Sequence, residues 1–181
     1  RLPIASITKL MTILIILEEN NLDDMVEVSK NATKTGGALM FLTAGEKITV
    51  ENLLYGALIP SANDAAVALA EFNAGDTTKF VTKMNEKASQ LGLLNTHFSN
   101  PIGLDEAGNY SSAYDISKLA RYIYQKKFIR ETAILKEKKV KSKLGLILSA
   151  NNLAISYISL ALVSFLVNNA LVFWASKVGK S

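Results

Sequence analysis

The chain has 181 residues, a net charge of +4, no cysteine and a single histidine, His97. That length suits one domain with a real core. The composition leaves no room for a disulfide framework, thiolate chemistry or a multi-histidine metal site, so neither a metal nor a cofactor is expected.

Residues 4–20 follow Pro3 and run into Leu10, Met11, Ile13, Leu14, Ile15, Ile16 and Leu17, with almost no polar face. This pattern predicts a helix buried in the middle of a domain. The alternation of Met25, Val26 and Val28 with charged residues suits a short strand. Residues 31–47, with Gly36, Gly37 and Gly45, read as loop. A helix is expected from Thr49, a plausible N-cap, to just before Pro60, and a second short helix after Ser61. Phe80, Met84, Ala88 and Leu91 form an amphipathic stripe that Asp76 can cap and Gly92 can end. Residues 93–110, rich in Asn, Pro and Gly, read as loop. Ser112 stands three residues before Asp115, the spacing of a capping box at the head of the next helix.

Eight Lys or Arg fall between Lys126 and Lys143, against Glu131 and Glu137. They read as a solvated helix face or a juxtamembrane cluster, and no nucleic-acid partner is expected. Residues 144–176 then carry no charge. Three readings fit this stretch. The first is a helix over 153–174 that spans or lies on a membrane, with Trp174 near its end. The second is a buried β-hairpin turning at Asn168-Asn169, and the third a buried core helix. The chain starts at Arg1 with no visible signal peptide and reads as a fragment or a processed chain.

Two short motifs carry chemistry. Ser6 and Lys9 share a helical face, so the lysine amine leans over the serine hydroxyl. An amine can take the serine proton only when neutral, and burial favours the neutral form. Free backbone N–H groups at a helix start can hold an oxyanion. Ser61-Ala62-Asn63 follows some fifty residues later. On spacing alone Ser6 can equally be a plain N-cap, since S-x-x-K is frequent by chance; an acyl transfer would need a nucleophile, a base, a proton path to the leaving group and a polar orienter.

The stretches "RLPIASITKLMT" and "LLYGALIPSANDAAVALA" resemble the D-alanyl-D-alanine carboxypeptidase family of penicillin-binding serine enzymes, through their S-x-x-K and S-x-N motifs. "TGGALMFLTAGEKITVENLLYG" and "LNTHFSNPIGLDEAGNYSSAYDISKLARYI" match it in the same order. The resemblance covers roughly residues 1–130. It implies a mainly α chain: the helical subdomain of the penicillin-binding/β-lactamase-like α+β fold, with its sheet incomplete. Residues 131–143 would be a basic connector and 144–181 an apolar C-terminal segment. By the resemblance, Ser6 is the nucleophile and Lys9 its base. Ser61 relays a proton to the leaving amine, and Asn63 fixes Lys9 and binds the substrate amide. Peptidoglycan stem peptides would be the substrates and β-lactams covalent inhibitors. The setting would be extracytoplasmic, with membrane contact through 153–174.

The sequence also departs from the family pattern. Lys34-Thr35-Gly36 has the letters of the third motif but precedes S-x-N, and reads as coincidence. Lys177-Val178-Gly179 has the right place, but valine lacks the hydroxyl that would bind a carboxylate. Ile102 stands where many relatives carry histidine. His97 reads as structural, Asp64 and Glu71 as carboxylates without a defined task, and Tyr110, Tyr114, Tyr122 and Tyr124 as packing. A catalytically inactive, membrane-associated remnant that at most binds peptidoglycan peptides or a partner is therefore the alternative to an impaired enzyme.

Overall fold

The structure, a computed structural model, describes residues 1–104, 108–135, 137–140 and 147–149. The apolar run forms α1, Lys9–Glu19, and Met11 and Ile13 to Ile16 are at most 1% exposed. Four helices surround α1: α2 (Val50–Leu58), α3 (Asn63–Ala74), α4 (Thr77–Gln90) and α5 (Ala113–Tyr124). A helix this apolar gains most by contributing to the core from every side, which explains its central place.

The start of α1 differs from the expected single helix over 4–20. Ala5–Thr8 is a 3-10 turn, and the α-helix begins only at Lys9. Ala5 takes a left-handed φ of 41°, uncommon for a residue with a Cβ, and this breaks the α geometry ahead of Ser6.

The expected caps are in place. Thr49 Oγ1 accepts from Asn52 N–H, Asp76 from Lys79 N–H and Ser112 from Asp115 N–H. Each satisfies an amide that the first helical turn leaves without an acceptor. The capping box at Ser112 is only half formed, because the Asp115 carboxylate accepts instead from Asn95 N–H and Thr96 Oγ1. The buried carboxylate thus ties α5 to the loop before it.

β1 (Met25–Glu27) pairs antiparallel with β2 (Lys47–Thr49), placing Val26 opposite Ile48, both buried. A further helix, α6 (Lys127–Thr132), packs on α5 and crosses the boundary expected at residue 130. β3 (Glu137–Lys139) lies in the expected connector and pairs antiparallel with β4 (Ile147–Ser149), which lies within the apolar segment. The Lys138 ammonium sits 4.3 Å from the Tyr55 ring centroid, so β3 rests on α2. Among the described residues the architecture is therefore mainly helical with two small strand pairs, as expected for an incomplete sheet. Among the described residues no helix is long and apolar enough to cross a membrane. The helix expected at 153–174, the turn at Asn168-Asn169 and the Lys177-Val178-Gly179 triplet lie outside the described residues.

Candidate active site

The 3-10 turn sets the first half of the site. In a 3-10 helix residues i and i+3 eclipse, so Ser6 and Lys9 face each other more directly than on an α-helix. Lys9 Nζ lies 3.1 Å from Ser6 Oγ. Its second partner is the main-chain carbonyl of Ile102, 3.0 Å away. Lys9 is 2% exposed, and burial lowers its pKa from 10.5 to about 8. A buried ammonium loses its hydration, so the neutral amine is favoured. The amine is thereby prepared to accept a proton near neutral pH.

The second half comes from the turn between α2 and α3. Ser61 adopts φ 59°, a left-handed conformation that favours glycine. Ser6, Lys9 and Ser61 together line a small open pocket walled by Ile7, Ile13 and Leu58. Ala5, Phe41 and Ser61 are the non-glycine residues with positive φ among those described. Two of the three belong to the turns that present the site serines, as is common where strain fixes a reactive group.

Asn63 is placed differently from the role the resemblance implied. Its Nδ2 donates to the Gly36 carbonyl at 2.7 Å, while Lys9 is held by Ser6 and Ile102. Gly37 lies against the same amide: a Cβ there would stand 2.7 Å from Asn63 Nδ2. Lys34-Thr35-Gly36 thus meets the site through the Gly36 carbonyl and not through its side chains. The next residue of α3, Asp64, is 1% exposed and accepts from Met40 N–H and Leu42 N–H, both at 3.1 Å. It has a task after all, which is to anchor the segment carrying Phe41. Glu71 accepts from Ser29 and Asn31 on the same side. His97 stacks on Tyr110, and its Nδ1 hydrogen-bonds with the Gly108 carbonyl, a structural placement.

A loop that the sequence reading left without a role closes the site. Thr12 Oγ1 donates to the Pro101 carbonyl at 2.7 Å. Gly103, at φ 80°, packs so tightly that an added Cβ would stand 1.8 Å from the Ala5 carbonyl oxygen. The Thr8 hydroxyl beside it is buried and has no hydrogen-bond partner among the described residues. The signal for this loop was present in Asn100-Pro101 and Gly103, all turn formers. Its partner for Lys9 is a backbone carbonyl, and no residue letter encodes that contact.

Comparison with known proteins places the chain in a family. The profile of the D-alanyl-D-alanine carboxypeptidase family matches residues 1–162. The D-alanyl-D-alanine carboxypeptidase DacF of Bacillus subtilis is 49% identical over 126 residues, 67% of this chain and 32% of that protein. The crystal structure of penicillin binding protein 6B from Escherichia coli superposes with TM-score 0.77 at 34% identity, over 85% of this chain and 51% of that one. The carboxypeptidase DacD of Francisella tularensis superposes with TM-score 0.67 at 42% identity, over 71% of this chain and 32% of that one. The chain spans about a third of the length of the curated relatives it matches.

Proposed function

Since the chain belongs to the D-alanyl-D-alanine carboxypeptidase family, we propose that Ser6 is the nucleophile of an acyl transfer on peptidoglycan stem peptides ending in D-Ala-D-Ala. The observation that carries this reading is the 3.1 Å contact of Ser6 Oγ with a buried amine whose pKa lies at about 8. Ser6 Oγ adds to the carbonyl carbon of the penultimate D-alanine while its proton passes to neutral Lys9. The backbone N–H of Ser6, in the first turn of its helix, supplies one donor for the developing oxyanion. The C–N bond then breaks. The proton reaches the departing D-alanine nitrogen by way of Ser61, which lines the same pocket. An ester remains on Ser6, and water cleaves it with Lys9 again taking the proton.

The reading makes β-lactams covalent ligands of Ser6. It also implies an extracytoplasmic setting, with membrane contact through residues 153–174, a segment whose sequence is free of charge. One observation favours slow turnover: Asn63 Nδ2 donates to the Gly36 carbonyl, and among the described residues the partners of Lys9 are Ser6 and Ile102, not Asn63. A loosely positioned substrate can cost about 10²-fold in rate. The chain is therefore expected to react with a reactive β-lactam more readily than it releases D-alanine from a peptide.

The test is labelling with a fluorescent penicillin, followed by mass spectrometry of the adduct. An adduct on Ser6 that Ser6→Ala removes is the expected result, with weak D-alanine release from a diacetyl-Lys-D-Ala-D-Ala peptide. An adduct on another serine, or none at all, would overturn the reading.

A further inference from the structure

We propose that Asn100 is a positioning residue for Lys9, acting through the Ile102 carbonyl. The proposal rests on the reading of Lys9 as the base for Ser6. A neutral amine has two N–H bonds and one lone pair. The Ile102 carbonyl, 3.0 Å from Nζ, engages one N–H, which fixes rotation about the Cε–Nζ bond. The lone pair is then free to face the Ser6 hydroxyl, 3.1 Å away. Without such an acceptor the amine would rotate, and its lone pair would point at Ser6 for only part of the time.

That carbonyl is aimed by Asn100. The Asn100 Oδ1 accepts from Gly103 N–H at 2.7 Å and from Ile102 N–H at 3.2 Å, and its Nδ2 donates to the Leu104 carbonyl at 3.0 Å. One side chain therefore saturates the inner face of a five-residue turn. Two amide donors on one side and a carbonyl on the other leave one sensible orientation for the Asn100 amide. Two further asparagines hold the base of the turn. Asn85 of α4 receives Phe98 N–H and donates to the Phe98 carbonyl, and Asn109 receives Ser99 N–H. Thr12 of α1 holds Pro101. These bonds tie the start of the turn to α1 and α4, and Asn100 sets the Ile102 peptide that meets the amine.

The same turn covers Lys9. Pro101 and Ile102 are buried over it, and burial is what lowers its pKa. The buried carboxylates of the helices packed on α1 are engaged elsewhere, Asp64 of α3 with Met40 and Leu42 and Asp115 of α5 with Asn95 and Thr96. Loosening the turn lets water reach the amine and restores the ammonium form.

The experiment follows two readouts on the full chain: the Lys9 titration midpoint by NMR of lysine labelled at Cε, and the pH profile of Ser6 acylation by a fluorescent penicillin. In Asn100→Ala the Lys9 midpoint should rise by about one pH unit, and acylation at pH 7 should fall roughly tenfold as the neutral fraction falls. The rate should recover toward the unaltered chain's at alkaline pH. Asn100→Ser, whose hydroxyl can still accept from the turn amides, should fall between the two. It also serves as the decisive variant if the alanine chain fails to fold. A folded variant that keeps both the Lys9 midpoint and the acylation rate of the unaltered chain would overturn the proposal, as would a midpoint that falls instead of rising. If Ser6 of the unaltered chain is never labelled, the acyl-transfer reading fails, and the NMR midpoint still decides whether Asn100 positions the amine.

Discussion

The two ends of α1 handle charge in opposite ways. At its C-terminal end Glu18 and Glu19 meet three lysines: Lys87 and Lys126 on Glu18, and Lys83 on Glu19. Carboxylates there oppose the helix dipole, so the lysines offset an unfavourable placement as well as tying α4 and the start of α6 to α1. Burial would raise the Glu18 pKa, but its bonds to Lys126 and Lys87 outweigh that and hold it below the usual value. At the N-terminal end a single lysine is buried with a hydroxyl and a carbonyl as partners, and its pKa falls. Paired charge at one end stabilises the fold. Unpaired, desolvated charge at the other costs stability and prepares an amine to take a proton. The contrast shows how one helix can be an anchor at one end and a reactive group at the other.

Among the described residues no ion pair secures the N-terminal end, so backbone packing must do so. Gly103→Ala attacks that packing directly. The new Cβ would stand 1.8 Å from the Ala5 carbonyl oxygen, at a φ of 80° that alanine disfavours. Overpacking and the wrong φ together should cost about 3–5 kcal/mol. For a chain of this size that is on the order of 10 °C in Tm, read by a thermal melt. A variant melting within a degree or two of the unaltered chain would show that the loop is free to move off the Ala5–Thr8 turn, and the N-terminal end would not be clamped.

Lys9→Met tests the cost of the unpaired amine. The folded-state pKa of about 8 lies below the unfolded value of 10.5, so between these pH values the unfolded chain binds more protons than the folded one. Stability therefore rises with pH across that window, and the penalty is fully present below pH 8. The whole shift corresponds to about 3 kcal/mol. Chemical denaturation of both chains between pH 7 and 10.5 cancels the other titrating groups. The difference between them should move in favour of the lysine chain by that amount as pH rises. A difference that does not vary with pH would mean that Lys9 is hydrated in the folded state, and the comparison between the two ends would collapse.

Much of this arrangement can be read from the letters, and the rest is hidden for definite reasons. The run from Leu10 to Leu17 announces a central helix because no polar face interrupts it. Thr49, Asp76 and Ser112 announce caps because a short side-chain acceptor three residues before an amide has few other uses. The 3-10 turn at Ala5–Thr8 is not legible, since Ile4 and Ile7 continue the apolar pattern through it. The partner of Lys9 is hidden because it is a main-chain carbonyl 93 residues away. The destination of the Asn63 amide is hidden likewise, because Gly36 offers only its backbone. α6 and β3 are short and highly charged, and β4 is three residues inside a charge-free run, so periodicity has too little to act on. Side-chain chemistry was legible; contacts made by backbone atoms across long separations were not.

The smallest effects lie within the paired end itself, where the two glutamates differ in exposure. The Glu18 side chain is 17% exposed and meets two lysines, while that of Glu19 is 40% exposed and meets one. Water and salt screen an exposed pair and leave a half-buried one largely intact. Glu18→Gln should therefore cost about 1–2 kcal/mol, because it leaves Lys87 and Lys126 facing each other without a counter-charge. Glu19→Gln should cost about 0.5 kcal/mol or less, and 1 M salt should remove most of that. The Glu18 contribution is present at neutral pH and is lost as pH falls below the ordinary carboxylate range, through the lowered folded-state pKa. Urea melts at low and high salt give both numbers. Equal costs at the two positions would mean that burial does not govern the worth of these pairs. In that case the low exposure of Lys9 could no longer be taken as the reason its pKa is lowered at the other end of the same helix.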